Sequence, residues 1–200
     1  MRYLKNCLGK GLFFPRDSPL HLQGYSDADW ADCVDTRRSI SGQCFFLENS
    51  LVSWRTKKQI TVSRSSSEAE YRALASAIYE LQWLTYLLQD LHVSCTKLHV
   101  FFCDNQSALH IAANLVFHER TKHLEIDCHI VREKLQSGIL KLLPVSSKEQ
   151  VADFFTKAHH PQPFNLLLSK MGLLDIYQPL ACGGLLDNTH KDEITCTSSN

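Results

Sequence analysis

Four acidic residues stand in four separate short motifs. They are Asp27 in Tyr25-Ser26-Asp27-Ala28-Asp29-Trp30, Glu70 in Glu68-Ala69-Glu70-Tyr71, Asp104 in Cys103-Asp104-Asn105-Gln106-Ser107, and Asp153 in Val151-Ala152-Asp153. They lie far apart in the chain, so only a fold could bring them together. Grouped carboxylates suit magnesium, a hard cation that takes oxygen ligands in near-octahedral geometry. Two such ions roughly 3.5–4 Å apart can stabilise both the attacking and the leaving oxygen of a phosphodiester displacement.

Each acid also has a structural explanation. Asp27 and Asp29 share one face of a strand by period two, so spacing alone does not choose between them, and aspartate at a strand end commonly starts a turn. Glu70 and Glu68 can be separated by helical phase. Glu70 extends the apolar stripe Leu74, Ala77, Leu81, Leu84, Leu88 back by one turn, and Tyr71 and Ile78 widen that stripe. An inward-facing carboxylate needs compensation, which a metal would give. Glu68 points to nearly the opposite side, where charge in a first helical turn is favourable in itself. Asp104 ends an alternating strand just before a helix; it stands either at a site built on a strand's carboxyl end or as that helix's N-cap. Asp153 precedes Lys157 by four residues, the spacing of an ordinary helical ion pair.

The elements that must hold these acids are legible from periodicity. Strands are expected over Leu22–Trp30, Ile40–Leu47 and Leu51–Trp54, with a short segment over Gln59–Ser63. Ser65-Ser66-Ser67 supplies N-cap hydroxyls for a long helix reaching about Leu91. Lys97–Asp104 is a strand with Leu98, Val100 and Phe102 on one face. Helices follow over Asn105–Ala113 and Thr121–Gln136, the latter ended by Gly138. Ile139–Val145 is a strand, and Glu149–Ala158 and Phe164–Met171 are helices. Three strands in a row followed by strand–helix alternation imply an α/β fold with a mixed sheet.

The chain has 200 residues, 44% hydrophobic and 21% charged, with zero formal net charge. That size fits one domain plus tails, and the charge balance excludes a broadly cationic coat. A local basic track remains. No acid stands between Glu48 and Glu68, whereas Arg55, Lys57, Lys58 and Arg64 do, and Arg37-Arg38 and Arg120-Thr121-Lys122 add two clusters. No apolar run long enough for a membrane helix and no secretory signal is apparent, so an intracellular, non-membrane protein is expected. The eight cysteines form no Cys-x-x-Cys pair and read as free thiols in a reducing compartment. His118, His123 and His129 near Cys128 match no zinc-module spacing.

The chain resembles the ribonuclease H domain of copia-type retrotransposon Pol polyproteins, most of all those of plants. The resemblance rests on Tyr25–Ala31, Asp35-Thr36-Arg37-Arg38-Ser39, Ser66–Tyr71, Cys103–Ala108, Arg120-Thr121-Lys122-His123 and Val151–Lys157, in that order. It implies a ribonuclease H-like mixed five-stranded sheet with helices on both faces. It also implies an endonuclease that cleaves the RNA strand of an RNA–DNA hybrid with two Mg²⁺ ions, Mn²⁺ being an alternative. Carried over by motif, the metal-binding carboxylates fall on Asp27, Glu70, Asp104 and Asp153, which selects Asp27 over Asp29.

Residues expected against nucleic acid are Arg37, Arg38, Lys57, Lys58, Ser65, Ser66, Asn105, Gln106 and Lys122. A reverse transcriptase domain of the parent polyprotein is the expected protein partner. The expected compartment is cytoplasmic, within a virus-like particle, or nuclear. Residues 1–20 resemble the stretch after such a polymerase. Residues 21–158 form the ribonuclease H-like domain, 159–177 a C-terminal helix and 178–200 a disordered tail. Where many cellular members of the wider group place a histidine before the last aspartate, this chain has Ser146-Ser147-Lys148. The competing reading is an inactive retroelement remnant that keeps the fold and at most binds nucleic acid.

Overall fold

Side-chain alternation along the third strand divides the molecule into two layers. The computed structural model describes residues 9–16, 20–93, 98–114 and 124–175. Its strands are β1 (Lys10–Leu12), β2 (Leu22–Asp29), β3 (Ile40–Leu47), β4 (Ser50–Lys58), β5 (His99–Cys103), β6 (Leu140–Pro144) and β7 (Leu173–Asp175). Its helices are α1 (Ser66–Asp90), α2 (Gln106–Ala113), α3 (Glu125–Gln136) and α4 (Pro161–Lys170), with a 3-10 helix over Val151–Phe155. Along β3, Phe45 packs into a core with Tyr71, Leu74, Ile78 and Phe101. Its neighbours Cys44 and Phe46 join the opposite core with Leu51, Val151 and Met171. A strand buried on both faces needs a cover on each. Helices α1, α2 and α3 supply one, and the 3-10 helix and α4 the other.

The main sheet has five strands in the order β4-β3-β2-β5-β6. β2, β3 and β4 form an antiparallel meander, and β5 and β6 run parallel to β2. The carboxyl ends of β2 and β5 therefore open at the same edge of the sheet, which sets Asp27 and Asp104 near each other.

Helix α1 buries the expected stripe: Tyr71, Leu74, Ala77, Ile78, Leu81 and Leu84 are all buried, and Leu88 packs partly against the core. Each large apolar side chain so buried contributes roughly 1.5–3 kcal/mol. Ser65 is the N-cap, accepting from Glu68 N at 3.2 Å. Gly138, with φ of 70°, follows the C-cap Ser137 of α3, a left-handed position that suits glycine.

Leu98, Val100 and Phe102 share one face as expected, the less covered one, and His99, Phe101 and Cys103 form the deeply buried face under α1 and α2. Other expectations are corrected. Gln59–Ser63 forms no strand; β4 instead runs on to Lys58, and Gln59 turns to bond Ser41 Oγ and Ala69 O. Glu149–Ala158 folds as a short 3-10 helix, N-capped by the Gln150 side chain, rather than as an α-helix. The C-terminal stretch holds both α4 and β7, and β7 pairs antiparallel with β1. Lys10–Leu12 is thus part of a two-stranded ribbon with residues after the domain's last helix. The first three residues of the helix expected from Thr121, and the tail from 178, lie outside the described residues; the helix itself runs over Glu125–Gln136.

Candidate metal centre

The acids gather where three elements meet: the end of β2, the start of α1 and the end of β5, closed by the 3-10 helix. Asp27, Asp104 and Asp153 each present an oxygen, all within 4.8 Å of one another. Glu70, Cys103 and Asp104 form a second such group. Asp104 is common to both, so the four acids form two overlapping sets hinged on one carboxylate. Asp29 joins neither group.

Local structure explains each orientation. Asn105, and not Asp104, caps α2, its side chain accepting from Ala108 N at 2.9 Å. The carboxylate of Asp104 is thereby turned to the cluster. It accepts from Ser147 Oγ at 3.0 Å and from Gln150 Nε2 at 3.3 Å. Asp27 is 1% exposed. Thr156 Oγ1 donates to its Oδ2, and Lys157 Nζ stands 3.2 Å from its Oδ1. The same ammonium lies 2.7 Å from Asp153 Oδ1. The helical ion pair expected at Asp153 is present, and the carboxylate belongs to the cluster as well.

Glu70 and Glu68 behave differently, but not as in-versus-out. Both are buried, at 7% and 6% exposure. Glu68 is satisfied locally: its Oε2 accepts from Arg64 N at 2.9 Å and its Oε1 from Arg72 Nη2 at 3.0 Å. The chain entering α1 folds over it, which phase on an isolated helix cannot show. Glu70 Oε2 finds no hydrogen-bond partner among the described residues. Burial, then the nearby charges of Asp27 and Asp104, push its carboxyl up to about 9. Burial also raises Asp153, with Lys157 acting in the opposite direction. Burial alone would lower the Lys157 ammonium, but Asp153 and Asp27 outweigh it and hold it above its usual value.

This donor set fits a hard divalent cation. It is made of carboxylate oxygens, and one buried oxygen is left unpartnered, a costly condition that a cation would relieve. Cys103 does not fit as a ligand for such an ion. Its thiol is buried and raised to about 12, mainly by burial and then by Glu70, and so stays protonated.

Gln150, Ser147, Thr156 and Lys157 were not read from the sequence as parts of the centre. Gln150 is fully buried and reaches Ser26 O at 3.0 Å as well as Asp104, tying β2 to β5 through one side chain. Ser147 lies in the serine stretch that stands where a histidine occurs in other members of the wider group, the one signal that marked this segment.

The expected nucleic-acid contacts divide in three. Lys57 and Lys58 pair with Ser41 and Ile40, which in turn pair with Ala28 and Asp29. They therefore lie at the level of the acids, two strands or roughly 10 Å across the sheet. Arg37 and Arg38 are exposed on the loop before β3, and Lys58 Nζ reaches Cys33 Sγ of that loop at 3.0 Å. Ser65, Ser66, Asn105 and Gln106 sit at the N-termini of α1 and α2, Ser65 and Asn105 being committed as caps. Lys122 lies outside the described residues.

Comparison with known proteins gives a consistent picture. No family model matches the chain. It is 40% identical over 93% of its length to the retrovirus-related Pol polyprotein from transposon RE2 of Arabidopsis thaliana. To that from transposon RE1 of the same plant it is 42% identical over 86%, and to that from transposon TNT 1-94 of Nicotiana tabacum 37% over 86%. The chain spans only 13%, 12% and 13% of these relatives. Among solved structures, LC11-RNase H1, isolated from compost, superposes with a TM-score of 0.52 over 76% of this chain and 97% of that one, at 15% identity. The same enzyme in complex with an RNA/DNA hybrid gives 0.51 over 68% and 93%, at 13% identity. Among the described residues no helix is long and apolar enough to cross a membrane. By sequence the chain belongs with the Pol polyproteins of copia-type plant retrotransposons, of which it corresponds to one stretch, and that stretch has the ribonuclease H-like fold.

Proposed function

We propose that this region is a metal-dependent endonuclease that cleaves the RNA strand of RNA–DNA hybrids. The observation that carries the reading is the cluster of Asp27, Asp104 and Asp153, with Glu70 close to the shared Asp104 and its buried oxygen left unpartnered. The hybrid held by LC11-RNase H1, a protein of the same fold, supports the choice of substrate.

In this reading Asp27, Asp104 and Asp153 hold one magnesium or manganese ion, and Glu70 with Asp104 holds a second. Bound ions supply Lewis acidity toward the phosphodiester. The rest falls to the chain's own residues. Ser147 and Gln150 fix the rotamer of Asp104, and Thr156 fixes that of Asp27. Lys57, Lys58, Arg37 and Arg38 offer charge to the hybrid's phosphates beside the acids. Contacts to 2′-hydroxyls in the wide minor groove would select the RNA strand; the exposure of Ser66 and Gln106 at the helix starts supports such a role for them. In the polyprotein the domain would act on hybrids made by a reverse transcriptase portion.

The test is cleavage of an end-labelled RNA–DNA hybrid by the wild-type chain and Asp104→Asn in Mg²⁺. Wild-type cleavage of the RNA strand alone, lost in Asp104→Asn, is expected. A folded wild type that leaves the hybrid intact defeats the enzyme reading in favour of the inactive remnant. Full activity in Asp104→Asn defeats the site assignment.

A further inference from the structure

Asp27 has both oxygens engaged, one by Thr156 and one by Lys157. Each carboxylate oxygen keeps a second lone pair for an ion, but a cation already seated at one of them repels a divalent ion arriving beside it. Thr156 is buried against the sheet, at 9% exposure, and its hydroxyl carries no charge that would oppose an ion. Lys157 differs. Its side chain is 38% exposed, and a four-carbon stem can carry the ammonium to water. Its Nζ sits between Asp27 Oδ1 and Asp153 Oδ1, at 3.2 and 2.7 Å, two of the three acids that form one candidate cation site.

We propose that the Lys157 ammonium is a resident counter-ion of this centre, holding Asp27 and Asp153 together and giving way when a divalent cation binds. Metal binding here is then an exchange of one cation for another, and Lys157 is a positioning residue. Without a cation, three clustered carboxylates repel one another; the ammonium keeps them in the arrangement the ion later uses. The same charge competes with the ion, so it lowers metal affinity while raising metal-free stability. The inference rests on the metal-dependent reading above.

The test titrates MgCl₂ into the full chain after EDTA dialysis, by calorimetry, for wild type, Lys157→Met and Lys157→Arg. Lys157→Met should bind Mg²⁺ about tenfold more tightly, since a like charge within a few ångströms is gone. It should also melt at a lower temperature than wild type in EDTA. Lys157→Arg, which keeps the charge, should stay within about twofold of wild type on the same ground. A second measurement needs no variant: acetic anhydride labelling of Lys157, read by mass spectrometry, should speed up several-fold when Mg²⁺ is added. Mg²⁺ binding that Lys157→Met fails to tighten, or a Lys157 labelling rate indifferent to Mg²⁺, overturns the counter-ion role alone. No Mg²⁺ binding by any folded form overturns the metal-dependent reading and this inference with it.

Discussion

Gly42 lies directly opposite Asp27 across the β2–β3 ladder, and a Cβ at Gly42 would stand 2.7 Å from Thr156 Cγ2 and 2.8 Å from Phe155 Cβ. The 3-10 helix that carries Asp153 is therefore seated on a residue without a side chain. Gly42→Ala should lift that helix off the sheet. Overpacking of this kind costs about 1–3 kcal/mol, measurable by urea unfolding. Hybrid cleavage should fall much further than stability, because Thr156 and Asp153 move together. Wild-type cleavage in Gly42→Ala would show that the seating is not what places these groups.

Glu70 makes stability depend on pH in an unusual sense. Its folded-state carboxyl, up to about 9 from an ordinary 4.5, binds a proton more tightly than the unfolded chain does. Between those values folding takes up a proton, so this group's contribution is fully present below about 4.5 and is lost as pH rises toward 9. Its slope is at most about 1.4 kcal/mol per pH unit. Melting of the wild type in EDTA should decline across this window. Glu70→Gln should flatten the decline and abolish cleavage. A parallel decline in Glu70→Gln would remove Glu70 as its source.

Gln150 offers a separate test of the frame. Gln150→Leu keeps bulk but removes the donor to Ser26 O and Asp104, and the acceptor of Ala152 N. Stranding buried polar groups costs roughly 1–3 kcal/mol each, so the loss of stability should exceed that of a surface change by at least this amount. Equilibrium unfolding gives the stability, and Mg²⁺ titration should show weaker binding because Asp104 loses its restraint.

The lysines of β4 should act on substrate rather than on the acids. Lys57→Ala combined with Lys58→Ala should weaken hybrid binding. It should also make the plot of log affinity against log salt shallower by about 1–2, as expected for one or two lost phosphate contacts. Fluorescence anisotropy at several salt concentrations measures both. An unchanged slope would place the hybrid elsewhere.

Much of this arrangement was legible from residue order because it is local. The stripe on α1 and the alternation of β3 are periodic, and periodicity predicts faces. Glu70 was separable from Glu68 by phase, although Glu68 turned out equally buried: its cover comes from the entering chain, which a helical wheel omits. Asp104 and the N-cap role could not be separated by position, since Asn105 is an equally good cap one residue later. Gln150 was invisible. Its partners on β2 lie far away in sequence, and a glutamine in a loop carries no pattern of its own. Lys157 was seen as a partner for Asp153, but its second contact, to Asp27, exists only once the 3-10 helix crosses the end of β2.

The ribbon formed by β1 and β7 has a mechanical consequence. Lys10 is paired with Asp175 and Leu12 with Leu173, so the two strand ends that lead away from the domain lie side by side. In a polyprotein under tension, force arriving from both sides would meet at this ribbon and peel it one residue pair at a time. Leu12 and Leu173 of that ribbon pack into the same core as Val151 and Ala152 of the 3-10 helix, so opening it would loosen the seat of Asp153. Tension applied at Lys10 and Asp175 should therefore loosen the seat of Asp153 before it strains the five-stranded sheet.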